Sequence, residues 1–251
     1  MLKKFLFCVI FFASPVFAYD DVHGNYNYSL ELDNKVNCND LEDPFEKVNR
    51  KIFLFNSFAD HITLKPLAKA YNKYFSDFAK NRIGDFTQNI QEPLTTVNYT
   101  LQGRFDKTIN SFWRFLINSI FGVAGTYDLS RDFDIKHEKQ TFGSTLAYYG
   151  ASPGPYVVLP LLGGTNMRDM WDILILNSSL NPLKYAMPND TYSYYTVINM
   201  INGRADIMPF TEHVSRNSTD PYVAIRSAIH QRRESTLTYP SNYKCIRKLD
   251  Y

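Results

Sequence analysis

Between Phe142 and Asp169 the chain reads FGSTLAYYGASPGPYVVLPLLGGTNMRD, with five glycines, three prolines and no charge before its last two residues. Pro153 and Pro155 lack a backbone N–H and push their predecessors toward extended conformations, which argues against a helix here. The run Pro155-Tyr-Val-Val-Leu-Pro160 suits a short buried strand, yet its Gly/Pro flanks offer no obvious hairpin mate. The stretch therefore reads as an irregular apolar connector held between helices. Irregular backbone is tolerated in an apolar setting only where protein buries it or a cavity hydrates it. A fold built around this segment has to supply one or the other.

The chain has 251 residues and shows no composition shift that marks a boundary, so one large domain is expected. Its 18 Tyr, 19 Phe and 2 Trp make aromatics 16% of the residues. Such a surplus suits a large core, an apolar ligand cavity or an interfacial aromatic belt.

The first segment, MLKKFLFCVIFFASPVFA, has a basic start at Lys3 and Lys4, an apolar run from Phe5 to Ala13 and a small-residue cleavage signal ending at Ala18. It reads as a secretory signal peptide over residues 1–18. No later run is apolar for the 18 residues or so that a conventional transmembrane helix needs. Without this segment the chain carries 25 Lys+Arg against 25 Asp+Glu, a balance that argues against a nucleic-acid partner. A local basic cluster of Arg226, Arg232, Arg233, Lys244, Arg247 and Lys248 is either a solvated tail or a contact for anionic lipid headgroups. Processing leaves Cys38 and Cys245, which in an exported protein are candidates for a disulfide between the two ends.

Residues 19–42 are rich in Asn and Asp and read as a poorly ordered leader. Order is expected from Asp43, a candidate N-cap followed by Pro44 at the first helical position, with Glu46 completing a capping box. Phe45, Val48, Ile52, Phe55, Ala59 and Ile62 recur at helical spacing, and Phe53, Leu54 and Phe58 widen the stripe beyond one face. A helix apolar over most of its circumference is buried in protein or lies against lipid. A second helix restarts at Pro66, and Pro93 either kinks its continuation or begins a new one ending at Gly103. Asp106 opens an amphipathic segment with Ile109, Phe112, Trp113, Leu116, Ile117 and Ile120 on one side, closed by Gly122. A Gly-punctuated turn through Asp128 and a charged stretch from Arg131 to Lys139 follow. Further helices are expected from Asn166 to about Leu176, from Asp190 to Ala205, and from Asp220-Pro221 with Ser218 or Thr219 as cap. Helical periods dominate and alternating strands are absent, so the fold class is mainly α.

Gly150-Ala-Ser152-Pro-Gly154 matches the G-x-S-x-G nucleophile elbow by letter. In that elbow the residue after the serine donates its backbone N–H to the oxyanion hole, and Pro153 has none. The five histidines are scattered, with no metal-ligand spacing. No catalytic, cofactor or metal site is expected.

Several ordered blocks resemble the MlaA/VacJ family. They are Asp43-Pro-Phe-Glu46 with Asn49-Arg50 and Phe53-Leu-Phe-Asn56; Glu92-Pro93 with Val97-Asn-Tyr99 and Leu101-Gln-Gly103; Phe142-Gly-Ser-Thr-Leu146; Gly154-Pro-Tyr156 with Leu159-Pro160; Arg168-Asp169; and Ser218-Thr-Asp-Pro-Tyr222. The similarity runs from about Asp43 to Arg233, with residues 236–251 left as a basic tail. The resemblance implies a ring-shaped helical protein embedded from the periplasmic side in the outer membrane. Through a central amphipathic channel, mislocalised phospholipids would leave the outer leaflet for a periplasmic carrier of the MlaC type. A trimeric porin would be a further partner. On this chain the path or gate would draw on Gly122, Gly125, Tyr127, Asp128, Phe142, Tyr148, Tyr149, Tyr156 and Pro160. Phe45, Ile52, Phe53, Phe55, Phe58, Phe112 and Trp113 would contact the membrane. Family members are commonly lipoproteins, whereas Cys8 lies inside the apolar run without a lipobox, so the broad stripe of Phe45 to Phe58 would hold the membrane without an acyl anchor. The alternative is a soluble periplasmic lipid-binding module without a channel.

Overall fold

The computed structural model describes residues 43–176 and 181–237. The signal segment, the leader, Cys38, Cys245 and the basic tail from residue 238 lie outside them. The fold is mainly α. In chain order it comprises α1 (Glu46–Ile62), α2 (Leu64–Tyr74), α3 (Asp77–Leu101), α4 (Phe105–Ile120), a 3₁₀ turn (Leu129–Phe133), α5 (Phe142–Tyr148), strands β1 (Tyr156–Leu159) and β2 (Gly163–Asn166), α6 (Met167–Trp171) running into a π turn to Leu176, α7 (Pro182–Ala186), α8 (Asn189–Asn217) and α9 (Pro221–Thr236).

The elements close into a ring. α1 packs on α2, α2 on α8, α8 on α3, α3 on α5, α5 on α6, α6 on β2, β2 on β1, and β1 returns to α1. α9 bridges α8 and β2, while α4 packs along α3 and the 3₁₀ turn.

Local sequence explains most boundaries. The Ser76 side chain accepts the Ala79 N–H at the start of α3, and Asn166 and Asp220 do the same for α6 and α9. The last helix is thus capped by Asp220 itself rather than by Ser218 or Thr219. Asp43 does not cap α1 either. Its carboxylate accepts from Asn49, Tyr222 and Arg226 instead, and Glu46 pairs with Arg50. Arg104, not Asp106, occupies the cap position of α4. Pro93 sits inside α3 without ending it, and α8 runs past Ala205 and through Pro209. Each proline removes one N–H from its helix, and the neighbouring turns carry the helix on.

The Phe142–Asp169 stretch differs most from expectation. Its first seven residues form α5, closed at its start by a reciprocal box between Thr141 and Ser144. The strand has a mate after all: Tyr156 pairs with Asn166 and Leu159 with Gly163 in an antiparallel hairpin. Gly163-Gly-Thr-Asn166 lacks strand propensity, and the turn holds Leu161 at positive φ. Gly164 is required because a Cβ there would collide with the Tyr156 ring.

The other edge of β1 is paired by side chains. Asn49 donates to the Tyr156 carbonyl at 3.0 Å and accepts the Val158 N–H at 2.9 Å. Two turns along α1, Asn56 donates to the Leu159 carbonyl at 2.9 Å and accepts the Leu161 N–H at 2.7 Å. The two carboxamides act as a substitute third strand, satisfying backbone groups that an edge leaves open. Replacing Asn49 by Ala orphans two buried backbone groups, so a loss of roughly 2–3 kcal/mol is expected, with a smaller loss for Asn56→Ala. Denaturant unfolding of the detergent-solubilised chain checks this order.

Candidate functional site

The helices bury their polar faces. On α3 the buried positions are Gly84, Asp85, Thr87, Gln88, Asn89, Glu92, Thr95, Asn98 and Tyr99, and on α4 they are Ser111, Arg114 and Asn118. Outside stand Phe78, Val97 and Leu101 on α3, and Phe105, Ile109, Phe112, Trp113 and Ile120 on α4. Phe45 at the start of α1 and Val48, Leu54, Phe55, Phe58 and Ile62 along it are likewise exposed. Apolar clusters inside are small: Ala68, Tyr71 and Ala205 in one, and Tyr156, Val158 and Tyr222 in another. In water each large exposed side chain forgoes about 1.5–3 kcal/mol of burial, and contiguous apolar patches mark lipid or partner surfaces. Among the described residues no helix is long and apolar enough to cross a membrane.

The interior is held by charge. Glu92 and Arg114 are 1% and 2% exposed and meet at 2.7 Å. Arg114 also reaches Asp128 at 3.0 Å and donates to the Ile135 carbonyl. Ser111 donates to Glu92 at 2.6 Å, and His137 Nδ1 lies 2.8 Å from the same carboxylate. Asp128 accepts further from Asn118 and Ser130, and Arg131 links Asp128 to Asp85, which pairs with Arg82. Burial alone would push the Glu92 carboxyl up, but His137 and Arg114 outweigh it and hold it below the usual carboxylate range. Asp128 is depressed in the same way, against its own burial, by Ser130 and Arg114.

A second cluster ties α5, α6 and α9 together. Asp169 receives Arg168 at 3.0 Å and Arg233 at 2.6 Å, and Arg233 also donates to Ser144 and Thr141. Asp172 accepts the N–H groups of Phe142 and Gly143 at 2.9 and 2.6 Å. A Cβ at position 143 would collide with the Asp169 carboxylate, so the glycine permits two acids to approach one helix end.

The residues proposed for a lipid path fall into three places. Gly122, Gly125, Tyr127 and Asp128 lie at the end of α4. There Gly125 has φ +87° and leaves room for Asn89, and the Tyr127 ring carries the Arg82 guanidinium 4.2 Å from its centroid. Asp128 is locked into the charge network. Phe142 and Tyr148 stand on α5 and Tyr149 caps its end, with the Tyr149 hydroxyl donating to the Leu101 carbonyl at 2.6 Å. Pro160 is exposed at the hairpin turn, whereas Tyr156 is 3% exposed and packs edge-on against Tyr222. Of the residues assigned to the membrane, Phe45, Phe55, Phe58, Phe112 and Trp113 point outward. Ile52 and Phe53 are half-buried against the Tyr156–Tyr222 cluster.

Sequence reasoning missed Glu92, Arg114, Asn118 and His137. Their signal was present as polar residues at 85, 88, 92, 95 and 99 and at 111, 114 and 118, a second helical stripe opposite the apolar one. Ser152 is exposed, and its hydroxyl accepts from Gly154 in its own loop. Among the described residues no three His, Cys, Asp or Glu side chains are placed to hold a metal.

A family model described as "MlaA lipoprotein" matches residues 41–236. A protein of Rickettsia felis is 46% identical over 245 residues, covering 98% of this chain and 96% of that one. The Shigella flexneri protein named "Intermembrane phospholipid transport system lipoprotein MlaA" is 34% identical over 200 residues, covering 76% of this chain and 77% of its own length. A solved chain from work on the "Structural basis for maintenance of bacterial outer membrane lipid asymmetry" superposes with a TM-score of 0.68 at 33% identity, covering 78% of this chain and 98% of that one.

Two predictions follow from the charge network and the α5–α6–α9 cluster. Arg114→Leu strands Glu92 and Asp128 without their shared cation, and a loss of about 3–5 kcal/mol is expected in equilibrium unfolding. Asp169 is pushed up by burial but held at about 2 by Arg233 and Arg168. Its folded value lies below the unfolded value of roughly 3.9, so its stabilisation is present above about pH 4 and is lost as pH falls toward 2. Unfolding midpoints measured against pH should decline over that window, and less steeply in Asp169→Asn.

Proposed function

The chain belongs to the MlaA family, and from that premise we propose that it removes mislocalised phospholipids from the outer leaflet of the outer membrane. The lipid passes through an amphipathic channel in the ring to a periplasmic carrier of the MlaC type, and the ring associates with a trimeric porin. The inverted helices carry this reading: they expose Phe55, Phe58, Phe112 and Trp113 and bury Glu92 and Arg114, whose guanidinium also holds Asp128. Such a surface is matched to acyl chains, and such an interior to headgroups and water. The ring sits from the periplasmic side among the acyl chains, held by its exposed apolar belt.

Flux is gated where the turn after α4 and the short helix α5 meet α3. The turn from Gly122 to Asp128, where Gly125 abuts Asn89, and Phe142 to Tyr148 on α5 both border α3, the helix with the longest buried polar face. Passage of a headgroup needs no covalent step, so the protein acts by offering polar groups along a route through an apolar setting. The names of the relatives support phospholipid as cargo, and the outward apolar belt favours a membrane-seated ring over a soluble carrier.

Cells lacking the protein should accumulate phospholipid on their surface, measured by labelling intact cells with a membrane-impermeant amine reagent. Unchanged surface phospholipid would contradict the proposal. Carbonate washing should leave the protein in the membrane pellet.

A further inference from the structure

A cleft of about 430 Å³ opens between α3, α4 and the 134–138 segment, with Lys107, Asn110, Asp134, Lys136 and Glu138 on its walls. It lies where α4 packs on α3, beside the ring rather than in its circuit. We infer that this cleft binds a zwitterionic phosphate-ester headgroup of the phosphoethanolamine type, with Lys136 and Asn110 taking the phosphate and Asp134 the ammonium.

The charges lining the cleft divide into committed and free. Lys107 pairs with Glu138, which also accepts the Tyr99 hydroxyl at 2.7 Å. Arg114 is spent on Glu92, Asp128 and the Ile135 carbonyl. Asp134 and Lys136 are exposed, and neither side chain bonds to any described residue. Asn110, at the same cleft, also has donor and acceptor open among the described residues. The free acid and the free base flank Ile135, whose carbonyl is pinned by Arg114, and the next residue, His137, is tied to Glu92. The segment is therefore fastened in its middle while it presents one negative and one positive group.

That pairing selects a class of ligand. A lone anion near Lys136 meets the Asp134 carboxylate, and a lone cation near Asp134 meets Lys136, so each simple ion is opposed by one of the two. A ligand with both charges answers both. The surroundings favour a lipid as its source: Phe105, Ile109, Phe112 and Trp113 on α4 are exposed within a turn of Lys107 and Asn110. Acyl chains along that face would carry the headgroup to the cleft, as amphipathic interfacial helices do. A soluble glycerophosphodiester presents the same chemistry, and the test separates the two. The lipid assignment rests on the membrane-seated reading above, whereas the charge selection does not.

The experiment titrates the full chain in detergent with glycerophosphoethanolamine, inorganic phosphate and ethanolamine, followed by calorimetry. The diester is expected to bind at least tenfold more tightly than either simple ion, and Lys136→Ala and Asp134→Asn should each weaken it about tenfold. Both positions are exposed, so melting temperatures should not move. Short-chain phosphatidylethanolamine in bicelles should compete with the diester; competition assigns the site to lipid, and failure to compete assigns it to the soluble ester and overturns the lipid source. No binding, equal binding of phosphate, or binding unchanged in both variants would overturn the site. Surface phospholipid in cells carrying the two variants separates the proposals: intact asymmetry with lost binding leaves transport standing without this site.

Discussion

Arg114 has almost no contact with solvent, yet it holds Glu92, Asp128 and the Ile135 carbonyl at once. A buried guanidinium of this kind is tolerable only when its acceptors are all in place, because removing it from water costs several kcal/mol before any partner repays it. The arrangement fixes α4 against α3 and pins the chain from Asp128 to His137 across both. Charge then continues through Arg131, Asp85 and Arg82 along α3. A chain that buries its charges this way has little room left for a large apolar core.

The apolar residues consequently face outward, and the ring makes sense only in surroundings that accept them. Ring closure depends on contacts of the same polar character. Asn49 and Asn56 stitch the hairpin to α1, Arg50 joins Asp220 at the start of α9, and Arg233 joins Asp169 near its end. The Tyr222 ring lies under Arg50 with its hydroxyl on Asp43, so the first and last described helices meet there. Polar closure and apolar periphery are two sides of one design, and the proposed lipid route depends on both.

The helices were legible because their apolar stripes recur at 3.6-residue spacing, and the Phe45 to Ile62 stripe was broad enough to suggest lipid. The same periodicity misleads about direction: it says which residues share a face and not which face is inside. Ile109, Phe112 and Trp113 form a stripe that an ordinary soluble helix would bury, and here it is exposed. The hairpin was hidden because Gly163-Gly-Thr-Asn166 carries no strand propensity and its pairing is set by the Tyr156 ring and the α1 asparagines. Asp43 left the cap position because Tyr222 and Arg226, 179 and 183 residues away in sequence, compete for its carboxylate. Long-range partners of that kind leave no local trace. The polar stripe through Glu92 recurs at the same helical spacing as the apolar one, and only its long-range partners identify it as the inward face.

The central claim is that the outer face of α4 sits among acyl chains while its inner face is charged. Trp113 and Trp171 are the two tryptophans of the chain, so Trp171→Phe leaves Trp113 as a single reporter on that face. In bilayers containing phospholipids brominated along their acyl chains, the account predicts strong quenching of Trp113 fluorescence and little quenching by aqueous iodide. Efficient iodide quenching with no response to the brominated chains would contradict it.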